Sequence, residues 1–322
     1  MTIRHGLIGL RSVPPGAVLS VGNYDGIHLG HRRLLELANS IRAQSGGQVA
    51  IVTFEPHPLT VLRPELAPPR LTPPAIKQQL LADAGVDDYV ILPPAPEVLN
   101  LTAEAFWAIL RDEVRPRMMI EGRSFNFGKG RGGNIDRLRE WSIGSGIELK
   151  IVDPVTTALL DLSVVPVTSS LIRWLLGHGR VRDAAIALGR AYALRGEVVK
   201  GFGRGKQLGV PTANLKCDDQ LIPADGVYAA RCTLAGRTYP AAVSIGSLPT
   251  FALHERKFQV EAHLIDFADD LYGKTIAIEL IDWVREQRKF DGVATLKAQI
   301  ARDLDSVRSR MTLAESRAIA AA

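Results

Sequence analysis

Short apolar runs alternate with amphipathic stretches through the first half of the chain. Five of these runs have the length of buried strands, and they lie at 17–22, 48–54, 87–93, 118–122 and 148–153. Three stretches with apolar residues at helical spacing fall between them, at 31–44, 75–85 and 102–114. Thr72-Pro73 and Thr102 stand where helix caps are expected. Strands that alternate with helices in this rhythm predict a parallel sheet with crossover helices.

The second half of the chain changes its pattern after two short helical segments, at 169–177 and 181–188. Strand-like runs then follow one another through short loops, at 194–201, 210–215, 226–234, 238–246, 257–267 and 275–286. One long helix is predicted near the end, at 291–311. Successive strands without intervening helices predict an antiparallel barrel or sandwich. We therefore predict two domains, an α/β domain at 1–186 and an antiparallel β domain with a terminal helix at 187–322.

The composition fits two domains with ordinary cores and narrows the class of protein. The chain has 322 residues, of which 46% are hydrophobic, and its net charge of +5 is spread evenly without a basic block. That distribution is weak evidence for nucleic acid and is compatible with small phosphorylated ligands. The two cysteines, Cys217 and Cys232, show no disulfide or zinc spacing, and no apolar run is long enough to span a membrane. We expect a soluble, cytoplasmic protein.

The stretch GNYDGIHLGH at 22–31 follows the first predicted strand. Gly22 and Gly26 allow a sharp turn, and the helix predicted from about Gly30 presents free amide groups and a positive dipole end to a ligand. That arrangement suits a phosphate, and His28 and His31 would add side-chain donors. Two histidines at this spacing can also be half of a metal site, or can occur at a helix start by chance.

The whole stretch resembles the signature of the HxGH nucleotidyltransferases, in which the two histidines bind the triphosphate at the attacked phosphorus. TFEPHP (53–58), SFNFGKGRGG (124–133) and VTSSLIRWLLGHG (167–179) extend the resemblance to the FMN adenylyltransferase module of bacterial bifunctional riboflavin kinase/FAD synthetases. The resemblance implies a Rossmann-like domain in which ATP and its phosphates contact Gly22, Asp25, Gly30, His57, Ser169, Ser170 and Arg173. It also implies a loop near ATP or flavin, formed by Phe125, Asn126, Phe127 and Gly128.

Each of these residues, taken singly, has an ordinary structural explanation as well. Serines cap helices, a histidine between prolines can lie in a surface loop, and the phenylalanines can be core residues. The chain also departs from the family pattern at four single positions, and Thr168-Ser169-Ser170 shifts the Ser/Thr pattern conservatively. Tyr24 stands where phenylalanine is usual, Glu55 replaces aspartate, Glu121 replaces an apolar residue, and Ser124 replaces aspartate or asparagine. None of these departures removes His28, His31 or Arg173.

A second glycine-rich stretch, GFGRGKQLGVPTANL, spans 201–215. It fits neither a P-loop, because Gly201 to Gly205 is one residue short and Gln207 follows the lysine, nor a dinucleotide-binding turn. Thr212 and Asn214 alternate along an extended run, so both are expected on one face. Their oxygens are hard ligands suited to Mg²⁺ with bound phosphates. The same sequence pattern is also expected if Pro211 starts an edge strand on which Thr212 and Asn214 are only solvated.

This string resembles the riboflavin kinase signature position by position, and the likeness continues through IPADGVY, SIGSLPTF and VEAHLIDFADDLYG. It implies a barrel in which Thr212 and Asn214 bind Mg-ATP and Glu261 takes the proton from the ribityl 5′-hydroxyl. Arg285 would lie on the flavin side. Glu261 could otherwise be a surface carboxylate on an alternating strand. The further ATP-binding residues implied are Gly201, Gly203, Arg204, Gly205, Lys206, Gly209 and Pro211.

The two resemblances cover nearly the whole chain in the order of the bifunctional family. They imply that riboflavin and ATP give FMN and ADP, and that FMN and ATP give FAD and pyrophosphate, with Mg²⁺ in both steps. A kinase whose nucleotidyltransferase domain is inactive or redirected is the alternative. Even charge and 6% aromatic residues argue against a nucleic-acid-binding protein. A cytidylyltransferase for a polyol phosphate would share HxGH but leave PTAN unexplained. We expect small-molecule partners and no membrane, and leave a homo-oligomer open.

Overall fold

The computed structural model describes residues 1–201, 205, 208–248 and 257–321. The chain forms two compact units, Met1–Thr157 with Val165–Ser169, and Ala158–Val164 with Ser170–Ala322. The helical residues 170–188 thus pack with the second unit. The predicted boundary near residue 187 remains a prediction.

The strands of the first unit form a parallel sheet and a small hairpin. In chain order they are β1 (Thr2–His5), β2 (Val18–Val21), β3 (Val49–Phe54), β4 (Asp88–Leu92), β5 (Met118–Gly122), β6 (Asn126–Phe127), β7 (Gly133–Asn134) and β8 (Glu148–Val152). The sheet has the order β1-β4-β3-β2-β5-β8, and every pair in it is parallel. β6 and β7 pair antiparallel. The five predicted strands are present, and β1 and the hairpin were not predicted.

Helices cover both faces of this sheet. They are α1 (Gly6–Arg11), α2 (Leu29–Ser45), α3 (Leu59–Leu62), α4 (Pro74–Asp83), α5 (Pro96–Leu99), α6 (Ala103–Ala108) and α7 (Ile135–Ser142), and a π-helical turn continues α6 through Val114. Alternate residues of β3 enter separate cores: Ala50 and Val52 pack with α6, and Val49 and Ile51 pack with α2. Side chains alternate across a strand, so one strand of apolar residues serves two layers.

The two predicted helix caps have different outcomes. Thr102 caps α6 as expected, because its Oγ1 accepts the Ala105 amide at 3.2 Å. Thr72 does not cap α4, which begins at Pro74 with Pro73 as its cap residue. The Thr72 amide instead donates to the Asp25 carboxylate at 3.1 Å, and that long-range bond carries no local sequence signal.

Strand order places a ligand crevice beside β2. This strand lies between β3 and β5, at the point where the direction of the crossovers reverses. In open parallel sheets the crevice at such a point, beyond the carboxyl ends of the strands, is where ligands bind. The histidine-bearing stretch begins at that end of β2.

A short hairpin of β9 (Thr156–Ala158) and β10 (Val164–Pro166) is followed by α8 (Ser169–Gly177) and α9 (Val181–Leu188), as the sequence predicted for the helices. The remaining elements are β11 (Tyr192–Val199), β12 (Ala213–Lys216), β13 (Gly226–Leu234), β14 (Arg237–Leu248), β15 (Lys257–Leu264), β16 (Thr275–Arg285) and α10 (Val293–Ala321). The six strands close into an antiparallel barrel in the order β11-β12-β15-β14-β13-β16. This confirms the barrel alternative over the sandwich.

Inward-facing residues of the barrel follow the strand period. Along β11 every second residue is buried, from Tyr192 through Val198. The long helix α10 lies on the barrel, where Val307 and Met311 contact Ala229 and Ile265. The barrel and its terminal helix therefore share one apolar layer.

Candidate active sites

The two histidines of the first unit lie together at the amino end of α2. His28 is the cap residue of the helix, and its Nδ1 accepts the His31 amide at 3.4 Å. The imidazole rings stack with centroids 3.7 Å apart and an angle of 16° between their planes. The first amides of α2 and the positive end of its dipole share this position. Such a cluster of donors can hold and polarise a phosphate group.

The turn that delivers the histidines has an unusual backbone. Tyr24, Gly26 and Ile27 all have positive φ angles, of 49°, 89° and 38°. Glycine accepts this conformation readily, but a tyrosine and a β-branched isoleucine adopt it at a cost of about 1–3 kcal/mol each. Such a turn persists only where the surrounding structure holds it.

Asp25 ties the turn to two distant segments. Its carboxylate accepts the Leu71 amide at 3.0 Å and the Thr72 amide at 3.1 Å, and its backbone carbonyl accepts the Ser169 hydroxyl at 2.8 Å. The side chain is 7% exposed. Asp25 therefore holds the shape of the turn, and its contact with ATP stays a prediction.

A buried group of charges, which the sequence did not reveal, supports the same turn. Lys77 on α4 is 3% exposed, and its ammonium donates to Glu55 Oε2 at 2.8 Å and to the Asn23 carbonyl at 3.2 Å. Arg70 pairs with the other oxygen of the Glu55 carboxylate. A lysine in a helix that is otherwise half apolar has no pattern that marks it as buried, so only the tertiary contact identifies it.

A second buried polar group lies under the histidines, between β2 and β5. Glu121 is 2% exposed and accepts the Val21 amide at 2.8 Å. The Tyr24 hydroxyl donates to Ser20 Oγ at 2.7 Å. Burial raises the pKa of Glu121 well above its ordinary value. Burial, and then the nearby Glu121 charge, raise the pKa of Tyr24.

The loop after β5 contributes mainly packing. Phe127 is buried in the core, and Phe125 stacks on it with ring centroids 5.2 Å apart. Gly128 has a φ of 74°, and a Cβ there would lie 2.5 Å from the Ala103 amide nitrogen, so this position requires glycine. Asn126 is exposed and its side chain donates to the Ser124 carbonyl. The ordinary core explanation thus accounts for both phenylalanines, and their predicted proximity to ligand remains to be tested.

The other predicted phosphate residues lie on a loop and on α8. His57 Nδ1 accepts the Leu59 amide at 3.1 Å in the loop after β3. Ser169 begins α8, and Ser170 and Arg173 follow on the same helix within the second unit. Gly22 and Gly30 both lie against side chains of the turn: a Cβ at Gly22 would be 3.3 Å from the Tyr24 ring, and one at Gly30 would be 3.1 Å from the His28 ring.

In the barrel, Asn214 on β12 and Glu261 on β15 occupy directly opposed positions. Gln259 joins them, since its amide group donates to Asn214 Oδ1 at 3.3 Å and also to Glu261 Oε1. His263 Nδ1 hydrogen-bonds with the Pro211 carbonyl at 2.7 Å, so Gln259, Glu261 and His263 share one face as expected. The strand register therefore brings a predicted metal ligand and a predicted base side by side.

A cavity of about 170 Å³ lies at the start of β12, and its lining includes Ala213 and Ala262, the residues next to Asn214 and Glu261 on their strands. Its walls include Thr212, Pro211 and the apolar side chains of Leu264 and Phe267, and Asp269 and Asp270 lie at it. An apolar cavity with a few polar groups is the usual form of a small-molecule site. Thr212, a predicted metal ligand, is therefore one of the residues that line the cavity.

The described part of the glycine-rich loop packs tightly on these residues. A Cβ at Gly201 would lie 2.1 Å from Asn214 Nδ2, and one at Gly205 would lie 2.5 Å from the Val210 carbonyl. The carbonyl of Gly205 accepts the Val210 amide at 2.9 Å, and Gly209 has a φ of 84°. Three further predicted ATP-binding residues, Gly203, Arg204 and Lys206, lie outside the described residues.

Arg285 has a structural partner that the sequence did not indicate. Its guanidinium bonds with both oxygens of Asp303 on α10, with Nη2 2.7 Å from Oδ2. It also lies over the Phe290 ring, 5.7 Å from the centroid. Arg285 therefore joins the end of β16 to α10, and its place on the flavin side remains a prediction.

Within the described ranges, no three His, Cys, Asp or Glu side chains are grouped as a metal centre would need. Thr212 and Asn214 offer a hydroxyl and an amide oxygen, the kind of ligand that Mg²⁺ prefers, and their role as metal ligands stays a prediction. Among the helices of that same part of the chain, none is long and apolar enough to cross a membrane.

Family models match both halves of the chain. The model described as FAD synthetase matches residues 10–164, and the model described as riboflavin kinase matches residues 188–311. The solved structure of a Streptococcus pneumoniae protein named as a macrolide-efflux protein superposes with a TM-score of 0.84 at 28% identity, over 96% of this chain and 99% of that one.

Curated relatives match over nearly the full length. The bifunctional riboflavin kinase/FMN adenylyltransferase of Escherichia coli strain K12 is 34% identical over 94% of this chain and 96% of its own. The enzyme of the same name from Listeria monocytogenes is 32% identical over 91% of both chains. With both domain models in the same order, the chain belongs to the bifunctional riboflavin kinase/FMN adenylyltransferase family.

Proposed function

We propose that the barrel phosphorylates riboflavin to FMN and that the parallel-sheet unit adenylylates FMN to FAD, each with ATP. Membership of the family supports both activities, since the family models of both domains match this chain. The alternative of a kinase with a silent first unit is not favoured, because the FAD synthetase model matches as well and His28 and His31 are both present.

The observation that carries the kinase assignment is the opposed pair Asn214 and Glu261 beside Thr212. Glu261 takes the proton from the ribityl 5′-hydroxyl as that oxygen bonds to the γ-phosphorus of ATP, and the bond from this phosphorus to ADP breaks. Asn214 and Thr212 would hold Mg²⁺, which would offset the phosphate charge. Gln259 holds the Glu261 carboxylate and the Asn214 amide in register.

The stacked pair His28 and His31 carries the adenylyltransferase assignment. A phosphate oxygen of FMN attacks the α-phosphorus of ATP, and the bond to pyrophosphate breaks. No covalent intermediate with the protein is needed, so the histidines and the amides at the start of α2 act by holding the triphosphate and stabilising developing negative charge. The strained turn at 22–28 keeps these donors in place before ATP arrives.

Several finer assignments belong to the same proposal. We place ATP in both units, Mg²⁺ in both reactions and the chain in the cytoplasm. Riboflavin, FMN and ATP are the proposed partners.

The test is chromatography of two reactions of the purified protein with ATP and Mg²⁺, one started from riboflavin and one from FMN. FAD in both reactions is expected. FMN accumulating without FAD from either start would contradict the adenylyltransferase, and FAD from FMN alone, with riboflavin untouched, would contradict the kinase.

A further inference from the structure

A buried polar network in the first unit, formed by Glu121, Ser20 and Tyr24, lies beside the two histidines. The Glu121 carboxyl accepts the amide of Val21 at 2.8 Å, and the hydroxyl of the adjacent Ser20 accepts the Tyr24 hydroxyl at 2.7 Å. The Tyr24 ring then lies 4.8 Å from the His31 ring, centroid to centroid, and His31 stacks on His28. This polar network thus extends from Glu121 on β5 to the amino end of α2, where ATP is proposed to bind.

The polar network holds both the Tyr24 ring and the end of β2 in place. Tyr24 has a left-handed φ of 49° and is 1% exposed, so its ring is held by the packing around it and by the one bond at its hydroxyl. Ser20 is the penultimate residue of β2, and Glu121 fixes the last residue, Val21, by accepting its amide. The three side chains therefore lock the exit of the strand to the ring that supports His31.

We propose that Glu121, through Ser20 and Tyr24, positions the His31 imidazole for adenylyl transfer, so that Tyr24 and Glu121 act as a coupled pair of positioning residues. Neither side chain needs to touch ATP. This inference rests on the role proposed above for His31 and adds residues that work through it.

Coupling follows from the cost of leaving a buried polar group unsatisfied. Tyr24→Phe leaves the Ser20 hydroxyl without its donor, and Glu121→Leu leaves the Val21 amide without its acceptor. Both changes loosen the same end of β2, so their effects on His31 overlap rather than add. A positioning role thus predicts that each single substitution slows the reaction and that the double variant is impaired less than the product of the two single effects.

The experiment measures kcat and KM for ATP in FMN adenylylation by full-length Tyr24→Phe, Glu121→Leu and the double variant. Each single variant should lose about fivefold or more in kcat with KM for ATP nearly unchanged, because the histidines act on the transition state. The double variant should be no more than about twofold slower than the slower of the two single variants. Glu121→Gln, which keeps an oxygen for the Val21 amide, should stay within about twofold of the parent.

Two controls separate positioning from general loss of structure. FMN formation from riboflavin by the same variants reports the barrel and should not change. Asp88→Asn alters another buried carboxylate of the sheet, at the amino end of β4, where Asp88 pairs with Arg4 at 2.7 Å. Asp88→Asn should lower the free energy of unfolding while the kcat of FMN adenylylation stays at the parent value. If Glu121→Leu does not fold, Tyr24→Phe and Glu121→Gln carry the test.

Failure of this inference is distinguishable from failure of the proposed function. His31→Ala with parent kcat would refute the histidine role and the inference with it. His31→Ala that is slow, beside Tyr24→Phe and Glu121→Leu at parent kcat, would leave the histidine role standing and overturn the positioning pair alone. A raised KM with unchanged kcat, or a double variant as slow as the product of the two single effects, would also overturn it.

Discussion

The ammonium of Lys77 lies 2.8 Å from Glu55 Oε2, and both side chains are largely buried. Lys77 also donates to the Asn23 carbonyl, so this ion pair holds the start of the turn that leads to the histidines. Its position joins α4, the end of β3 and the turn in one contact. Removing one partner of such a buried pair leaves charge without compensation.

Lys77→Met should therefore destabilise the first unit by about 3 kcal/mol, the usual cost of breaking a buried ion pair from one side. Denaturant unfolding measures the loss, and the rate of FAD formation from FMN should fall with it because the turn loses a contact. Lys77→Met/Glu55→Gln, which removes both charges, should recover part of the stability. A single variant as stable as the parent would show that Arg70 alone satisfies Glu55.

His28→Ala and Asn214→Ala should divide the two activities. His28→Ala removes the cap of α2 and one member of the stacked pair, so FAD formation should be lost while riboflavin is still converted to FMN. Asn214→Ala should do the reverse, with FAD still made from supplied FMN. Chromatography of both reactions reads out each variant, and equal loss of both activities in either variant would argue against two separate sites.

Gly201→Ala tests the contact between the glycine-rich loop and the metal-binding face. A Cβ at this position would lie 2.1 Å from Asn214 Nδ2, so the asparagine or the loop has to move. The kcat of FMN formation should fall about tenfold or more, since a shift of this size displaces a ligand of the proposed metal. Gly292→Ala is the matched control, because a Cβ there meets nothing within 4 Å and should leave the rate unchanged.

Glu121 gives the first unit a dependence of stability on pH whose sign follows from its raised pKa. Below its ordinary pKa of 4.5 the carboxyl is protonated in folded and unfolded chains alike. As the pH rises above that value the unfolded chain ionises first, and stability is lost by about 1.4 kcal/mol per pH unit until the folded pKa is passed. Tyr24 is the titratable side chain that faces Glu121.

Glu121→Gln cannot ionise, so its stability relative to the parent should improve steadily as the pH is raised from about 4.5 toward neutrality. Urea unfolding of both proteins across that range measures the difference. A difference that stays constant with pH would mean that the carboxyl is ionised in the folded chain.

The sequence anticipated the fold well, because the signals involved are local or periodic. Alternating burial along β11 and continuous apolar runs such as β3 identify strands in any context, and the order of elements then restricts the topology. The sequence does not predict β1, because its four residues are largely exposed and polar at the edge of the sheet and show no apolar run. The end of α10 was placed too early, at residue 311, since its last turns have no sharp stop signal.

The site was anticipated less evenly, and the reason is physical. Some proposed site residues have side chains suited to phosphate or metal binding at a recognisable spacing in the sequence. These are His28, His31, Thr212 and Asn214. Lys77 contacts Glu55 and Asn23, which lie 22 and 54 positions earlier in the sequence, and no periodic pattern predicts contacts over such separations. Tyr24 and Glu121 were each visible as departures from the family pattern, but their connection through Ser20 exists only in three dimensions.

The bonds around Asp25 also bear on how the chain folds as it is made. This residue joins the turn to Leu71 and Thr72, and its carbonyl receives a hydroxyl 144 residues further along, from Ser169. Contacts over such distances form late, after the chain that supplies them has left the ribosome. The match to the FAD synthetase model ends at residue 164, so a fragment cut there would have a complete sheet but an unfinished histidine turn. A minimal, independently expressed adenylyltransferase should accordingly extend at least through Ser169.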